Sequence, residues 1–338
     1  MTGLMRSLSA HVETWRPYTS CYVGLVGLAG AALAADSTSG ARLLAAWAIP
    51  TLGWLAGLYG GDYFDRELDA IAKPQRPIPS GRLRASTALA AMIGLIAAGA
   101  AWTLLLNWHA VALVGLATVV GVSYNAFFKA RGLSGNLVRG SLTSFAFLFG
   151  VLLGGGHIGP ELIAVSAVFC FHDSASNLVG TLRDMDGDKE GGYLTLPVRK
   201  GVRTTVRVIA GLAAVWTALA ATAPLFLHRP VNLGWVMLLI AAVGAFWTVV
   251  VLLLRAGVPS RRYALRMHEV ICLERVVLAG ALIAWGAGVP AAAATVLPAL
   301  LITWTAQRIL RVRHEFGLHG QAADAGPSVV PMNLREYS

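Results

Sequence analysis

Apolar runs of about 20 residues follow one another along nearly the whole chain, and that single pattern excludes most folds. Each run is long enough to cross a hydrocarbon layer about 30 Å thick as a helix rising about 1.5 Å per residue. In lipid the backbone groups must be satisfied within the segment, which makes these spans helical. They are expected at about 18–36, 41–61, 85–107, 109–128, 138–156, 161–180, 204–226, 231–254, 269–287 and 290–309. With 13% charged residues the chain has too few to cover a soluble surface, which typically needs about 25%. The fold class is therefore all-α, a polytopic membrane bundle. It forms one domain over residues 1–316, with 317–338 expected to be a disordered cytoplasmic tail because it lacks any periodicity. Met1 to Arg16 is short and polar and offers no cleavage pattern, so the first span is expected to stay.

A net charge of +10 would suggest nucleic acid in a soluble protein, but its distribution argues otherwise. Alternate loops collect the cations: Arg66, Lys73, Arg76, Arg82 and Arg84 in one, Lys129, Arg131 and Arg139 in the next, and further groups around 183–207 and 255–266. The opposite side keeps Arg42 and Arg229. By the positive-inside rule the rich side is cytoplasmic, in the cell membrane, and no nucleic-acid partner is implied. Cys21, Cys170 and Cys272 all fall in spans and read as small apolar residues.

Two acidic clusters stand at the inner ends of spans. Asp62, Asp65, Glu67 and Asp69 form the first; Asp184, Asp186, Asp188 and Glu190 the second. Together they hold eight of the 17 carboxylates. Asp65 and Asp69 share a helix face, as do Asp184 and Asp188, although like charges four apart repel. Pro74, Pro77 and Pro79 end the first helix soon after its pair. Two such pairs can each lend one or two carboxylates to Mg²⁺ and leave positions for water and phosphate oxygens. Solvated loop charge is the competing reading for one acidic loop, and recurrence of the same spacing on the same side weighs against it. Asp65, Asp69, Asp184 and Asp188 are thus the expected metal-binding and catalytic residues, with Asp62 as a further metal candidate.

Basic and polar groups interleave with the acids. Arg76, Lys129, Arg183 and Lys189 suit phosphate oxygens. Tyr124 stands with Lys129 on a loop at the bilayer edge, where an interfacial anchor is its plainer role. His172 and Asp173 lie deeper, where an ionisable pair faces the bundle interior; it can orient an acceptor or simply bond to Ser174 or Ser176. Glu269, Glu274 and Arg275 read as an ion-pair cluster at a helix end.

These motifs resemble the UbiA superfamily of intramembrane prenyltransferases. Its first signature, Asn-x-x-x-Asp-x-x-x-Asp followed by a basic segment ending Arg-Pro-(Ile/Leu)-Pro-Ser-Gly, corresponds to Gly61, Asp65 and Asp69 and then Arg76 to Gly81. The second corresponds to Asp184, Asp188 and Thr195-Leu196-Pro197, and the tyrosine–lysine loop to Tyr124 and Lys129. The resemblance runs over roughly residues 10–310. It implies about nine helices around a cavity that opens to lipid, with Mg²⁺ on the aspartates and an isoprenyl diphosphate as substrate. The prenyl cation passes to a lipophilic or aromatic acceptor, with aromatic liners sought among Phe64, Phe127, Phe128, Phe145, Phe147 and Phe171.

Two departures bear on the reaction. Gly61 stands where the family carries asparagine, and Asp62 or Asn177 are candidates to supply the missing contact. Glu13 falls where users of 4-hydroxybenzoate carry an arginine, and a glutamate repels that carboxylate. Prenyl transfer is the leading reading; a terpene cyclase on the same scaffold, closing a geranylgeranyl or geranylfarnesyl diphosphate onto its own double bonds, is the alternative. A transporter fits less well, since transport carboxylates sit near the midplane.

Overall fold

The computed structural model describes residues 3–34, 38–311 and 314–315. The expected tail at 317–338 lies outside them. Helices α1 (Gly3–Trp15), α2 (Pro17–Ala34), α3 (Gly40–Phe64) and α4 (Arg66–Ala72) lead into α5 (Ala85–Leu106), α6 (Val111–Ser123), α7 (Leu133–Leu153) and α8 (Pro160–Glu190). The chain continues through α9 (Leu196–Leu227), α10 (Leu233–Ala256), α11 (Arg261–Ala287) and α12 (Val289–Ala306). Ten of these segments are long and apolar enough to span a membrane, one more than the nine implied by resemblance and the same number as the apolar runs.

Local chemistry sets the helix ends. Ser260 Oγ accepts from the Tyr263 amide at 3.2 Å, and Asn232 Oδ1 accepts from the Trp235 amide at 2.8 Å, each satisfying a donor of the first turn. Proline opens the first turns of α8, α9 and α12, where its missing N–H costs nothing. In α9 the run is interrupted at Gly201, whose φ of 78° favours glycine. The apolar run expected from about residue 204 lies beyond that kink.

Burial separates inner from outer helices. The membrane window of α11 is 72% buried and that of α8 67%, against 6% for the span containing α6. The inner helices α2, α7, α8 and α11 therefore pack on protein, while α5, α6, α9, α10 and α12 present leucine, isoleucine and valine to lipid. Close approach within the core depends on small residues. A side-chain carbon added at Gly150 would meet the Gly27 carbonyl oxygen at 1.8 Å, so α2 and α7 can touch only backbone to backbone there.

The His172 ring, fully buried, meets Glu274 Oε2 at 2.8 Å and packs against Trp216 and Phe246. This replaces the expected bond to Ser174 or Ser176, and it places Glu274 in the core rather than in a helix-end ion cluster. His172 leaves the cavity wall to its neighbour Asp173.

Candidate active site

The acidic motifs converge although 115 residues separate Asp69 from Asp184. Helix α3 stops at Phe64 and α4 starts at Arg66, yet the ladder runs through the break: the Asp65 amide donates to the Gly61 carbonyl at 2.9 Å and the Asp69 amide to the Asp65 carbonyl at 2.7 Å. Asp65 and Asp69 thus keep one face. On α8 the same spacing turns Asp184 and Asp188 inward. All four aspartates line one cavity of about 520 Å³.

Each carboxylate has a partner. Lys129 contacts Asp65, and the Tyr193 hydroxyl donates to Asp65 Oδ1 at 3.1 Å. Arg76 Nη1 reaches both oxygens of Asp69 at 2.8 Å. Asp184 accepts from Lys73 Nζ at 2.8 Å and from Arg183 at 3.0 and 2.6 Å. Asp188 Oδ2 accepts from Thr195 Oγ1 at 3.1 Å. Burial opposes the charge on Lys129 most strongly, but Asp65, its hydrogen bond, Tyr124 and Asp69 together outweigh it and hold the ammonium above its ordinary value. The same contest leaves Arg76 more firmly charged beside Asp69, whereas burial lowers Lys73. Burial, with the Asp65 charge adding to it, pushes the Tyr193 phenol up to about 12.

Two loops complete this end of the cavity. Residues Tyr124–Phe128 form a π-helical turn, the Lys129 amide donating to the Tyr124 carbonyl at 2.9 Å. Such turns recur at functional sites because the extra residue re-aims the side chains around it. The Leu194 amide donates to the Ala130 carbonyl at 3.1 Å, tying this loop to the one after α8 and bringing Tyr193 to Asp65. Asn177 Nδ2 lies 3.4 Å from the Tyr124 hydroxyl, and both side chains line the cavity.

Two expected residues are placed elsewhere. Lys189 is exposed in the last turn of α8, one position and therefore about 100° past Asp188. Asp62 is buried against Thr14, at 3.0 Å, and Arg16, which sits in the break between α1 and α2. Asn125, not Asp62 or Asn177, is the amide beside Gly61: a side-chain carbon at Gly61 would lie 3.7 Å from Asn125 Oδ1. Glu13 is held by Arg82 at 2.7 and 2.6 Å, so both residues are structural, and Arg82 is more than a topology determinant.

Of the six proposed aromatic liners only Phe145 reaches the cavity, joined by Phe149. Phe147 points into the core against Phe169, and Phe127 lies under the Arg131 guanidinium. The deeper wall is mainly apolar, with Ile49, Met92, Ile96 and Leu113. Between wall and aspartates sits a polar group that sequence reading left unassembled. Asp173 accepts from Arg139 Nη1 and Thr143 Oγ1, both at 3.0 Å, while Arg275 lies 3.9 Å away over the Tyr22 ring.

A polar end rich in carboxylates and cations, joined to an apolar chamber inside a helical bundle, suits a molecule with a charged head and a hydrocarbon tail. A model of the UbiA prenyltransferase family matches residues 23–270, and the chain belongs to that family. It is a prenyltransferase. Its similarity to the digeranylgeranylglyceryl phosphate synthase of Natronomonas pharaonis is 34% identity over 239 residues, 70% of this chain and 83% of that protein. The synthase of Korarchaeum cryptofilum is 32% identical over 60% of this chain and 71% of its own length. Among solved structures, a digeranylgeranylglyceryl phosphate synthase superposes with a TM-score of 0.64 over 84% of this chain and 99% of its own, at 21% identity. A UbiA homolog from Archaeoglobus fulgidus, bound to GPP and Mg²⁺, superposes with a TM-score of 0.61 over 81% and 99%, at 15% identity. These last two likenesses bear on the fold.

Proposed function

We propose that the protein is a Mg²⁺-dependent prenyltransferase that moves an isoprenyl group from its diphosphate to a hydroxyl of a glycerophosphate-type lipid. The observation that carries the reading is the convergence of Asp65, Asp69, Asp184 and Asp188 on one cavity with Lys73, Arg76, Lys129 and Arg183 between them. The donor set has the chemistry of the ion, since these are hard carboxylate oxygens lining one cavity, although among the described residues no three acidic, His or Cys side chains stand close enough together to hold a metal by themselves. Mg²⁺ characteristically takes one or two carboxylates and fills its remaining positions with water and phosphate oxygens. When bound, it withdraws charge from the leaving diphosphate.

The chain's own groups do the rest. Arg76, Lys129, Arg183 and Lys73 donate to diphosphate oxygens, with Tyr124 and Asn177 beside them. The C1–O bond breaks with its electron pair leaving on the diphosphate. The acceptor hydroxyl oxygen then forms the new bond to C1, and its proton leaves with the diphosphate. The apolar wall around Met92, Ile96 and Phe149 excludes water from the cation. The acceptor class is supported by the relatives, whose product name describes a glyceryl phosphate with two geranylgeranyl groups. An aromatic acceptor has less support: those relatives are named for a glyceryl phosphate product, and Glu13, paired with Arg82 and outside the cavity lining, bears on neither acceptor. The acidic end faces the cytoplasm in this reading, as the cation distribution requires.

The test is incubation of the purified protein with geranylgeranyl diphosphate and Mg²⁺, with and without geranylgeranylglyceryl phosphate. An ether lipid formed only with the acceptor is expected. A cyclic hydrocarbon formed without it would establish the cyclase instead.

A further inference from the structure

The described chain ends with a carboxylate in a place neither acidic motif accounts for. Glu315 lies beyond the last span, well past the family match that closes at residue 270, yet it is 3% exposed and lines the catalytic cavity. Its Oε1 is 3.1 Å from Arg183 Nη1 and its Oε2 3.2 Å from Lys73 Nζ. The position is anchored several times over. The Glu315 carbonyl accepts from Arg261 at 3.1 Å, and the His314 carbonyl accepts from Gln75 Nε2 at 3.1 Å. Arg311, fully buried, contacts His268 and reaches Cys272 Sγ at 3.4 Å.

Lys73 and Arg183 are also the cations on Asp184, so this pair faces two carboxylates. Asp184 belongs to the acidic motif. Glu315 bridges the two cations through separate oxygens, as a phosphate group would, and an incoming diphosphate competes for the same donors. The docked segment also carries a cost that favours release: both ring nitrogens of His314 are buried without a hydrogen-bond partner.

We propose that Glu315 is a built-in occupant of the diphosphate site, seated on Lys73 and Arg183 in the free enzyme and displaced by the substrate's diphosphate. This rests on the reading of the cavity as a diphosphate site. The segment would add a second carboxylate to the two cations that Asp184 already faces, and it would set a threshold concentration for substrate entry.

The test uses the full chain and inorganic diphosphate, so it needs no acceptor. Glu315→Gln removes the charge and keeps the shape. Calorimetric titration with diphosphate and Mg²⁺ is expected to give a Kd about tenfold lower than wild type, the worth of one charge-assisted contact. The KM for the prenyl diphosphate should fall in parallel while kcat holds. Glu315→Asp, which keeps the charge on a shorter stem, should lie between and guards against a folding defect in the first variant. Weaker binding would make Glu315 a contributor to substrate or metal binding, and unchanged Kd in both variants would make it an idle contact; either overturns the proposal. Absence of diphosphate binding in the wild type itself would instead bring down the reading of the cavity, and the occupant with it.

Discussion

Lys73 and Asp184 are 111 residues apart in the chain and 2.8 Å apart in space. The basic segment that follows the first acidic pair is thus a counter-ion for the second. Three of the four catalytic candidates have counter-ions without metal, Lys129 on Asp65, Arg76 on Asp69 and Lys73 with Arg183 on Asp184, while Asp188 accepts from the neutral Thr195 hydroxyl. Chelation should therefore abolish turnover while leaving the thermal unfolding midpoint in detergent within a degree or two. A collapse of the midpoint on chelation would mean that the ion holds the bundle together.

Single replacement of Asp65, Asp69, Asp184 or Asp188 by Ala is expected to lower kcat by at least about a hundredfold, since each would lose a group that stabilises charge in the transition state. Glu67 and Asp186 are the internal controls. Both sit in the same clusters, but Glu67 is highly exposed beside Arg66 and Asp186 is exposed at the rim. Their Ala variants should stay within about threefold of wild type, on the ordinary smallness of exposed surface charge effects. Equal losses at all six positions would show that loop charge in general, not a positioned set, supports activity.

Orientation can be measured with cysteines introduced singly at Ser80, Gly192 and Gly159 in intact cells. A membrane-impermeant thiol reagent should react at Gly159, on the loop between α7 and α8, and leave the two acidic loops unlabelled. The reverse pattern would place the cavity mouth outside and cut it off from cytosolic diphosphates.

The parts of this molecule legible in sequence were those set by local periodicity or fixed spacing. Apolar runs give ten spans, and i,i+4 spacing gives the inward faces of α4 and α8. What remained hidden depends on contacts between distant segments. His172 and Glu274 are both charged-type residues in a span, and nothing local says that they face each other rather than the cavity. Lys189 looked equivalent to Lys129 by composition, but a single residue of helical rotation decides which one meets the site. Glu315 lay beyond any motif, and only the return of the chain after α12 brings it to Arg183. The aromatic liners failed for the same reason: Phe145 and Phe147 are two apart, so one lines the cavity and the other packs in the core.

The buried His172–Glu274 pair makes a stability prediction separate from catalysis. Both side chains are fully enclosed, with Trp216 and Phe246 around the ring. Glu274→Ala strips the imidazole of its hydrogen-bond partner, at a cost of about 1–3 kcal/mol for the unsatisfied buried group, and the void it opens adds to that. A clear fall in unfolding midpoint is expected, with KM for diphosphate unchanged in the folded fraction. An unchanged midpoint with a raised KM would place the pair in the substrate path instead.

Gly61 offers the most discriminating substitution, because the family carries an amide there and this chain does not. The position lines the cavity one turn before Asp65. A side-chain carbon would find only Asn125 Oδ1 within 4 Å, at the ordinary contact distance of 3.7 Å. Gly61→Asn therefore fits without moving the backbone, and Asn is no worse than Gly within a helix. Its amide would enter space beside Asn125, whose Nδ2 donates to the Gly57 carbonyl at 3.0 Å. With an amide already present on the neighbouring loop, the second one narrows the cavity instead of restoring a missing contact. The expected outcome is a normally folded protein with an unchanged unfolding midpoint and reduced turnover of the prenyl diphosphate. A rise in Mg²⁺ or diphosphate affinity would show that the site had lacked the family's amide, and no change in rate or affinity would show that position 61 does not act on the substrate.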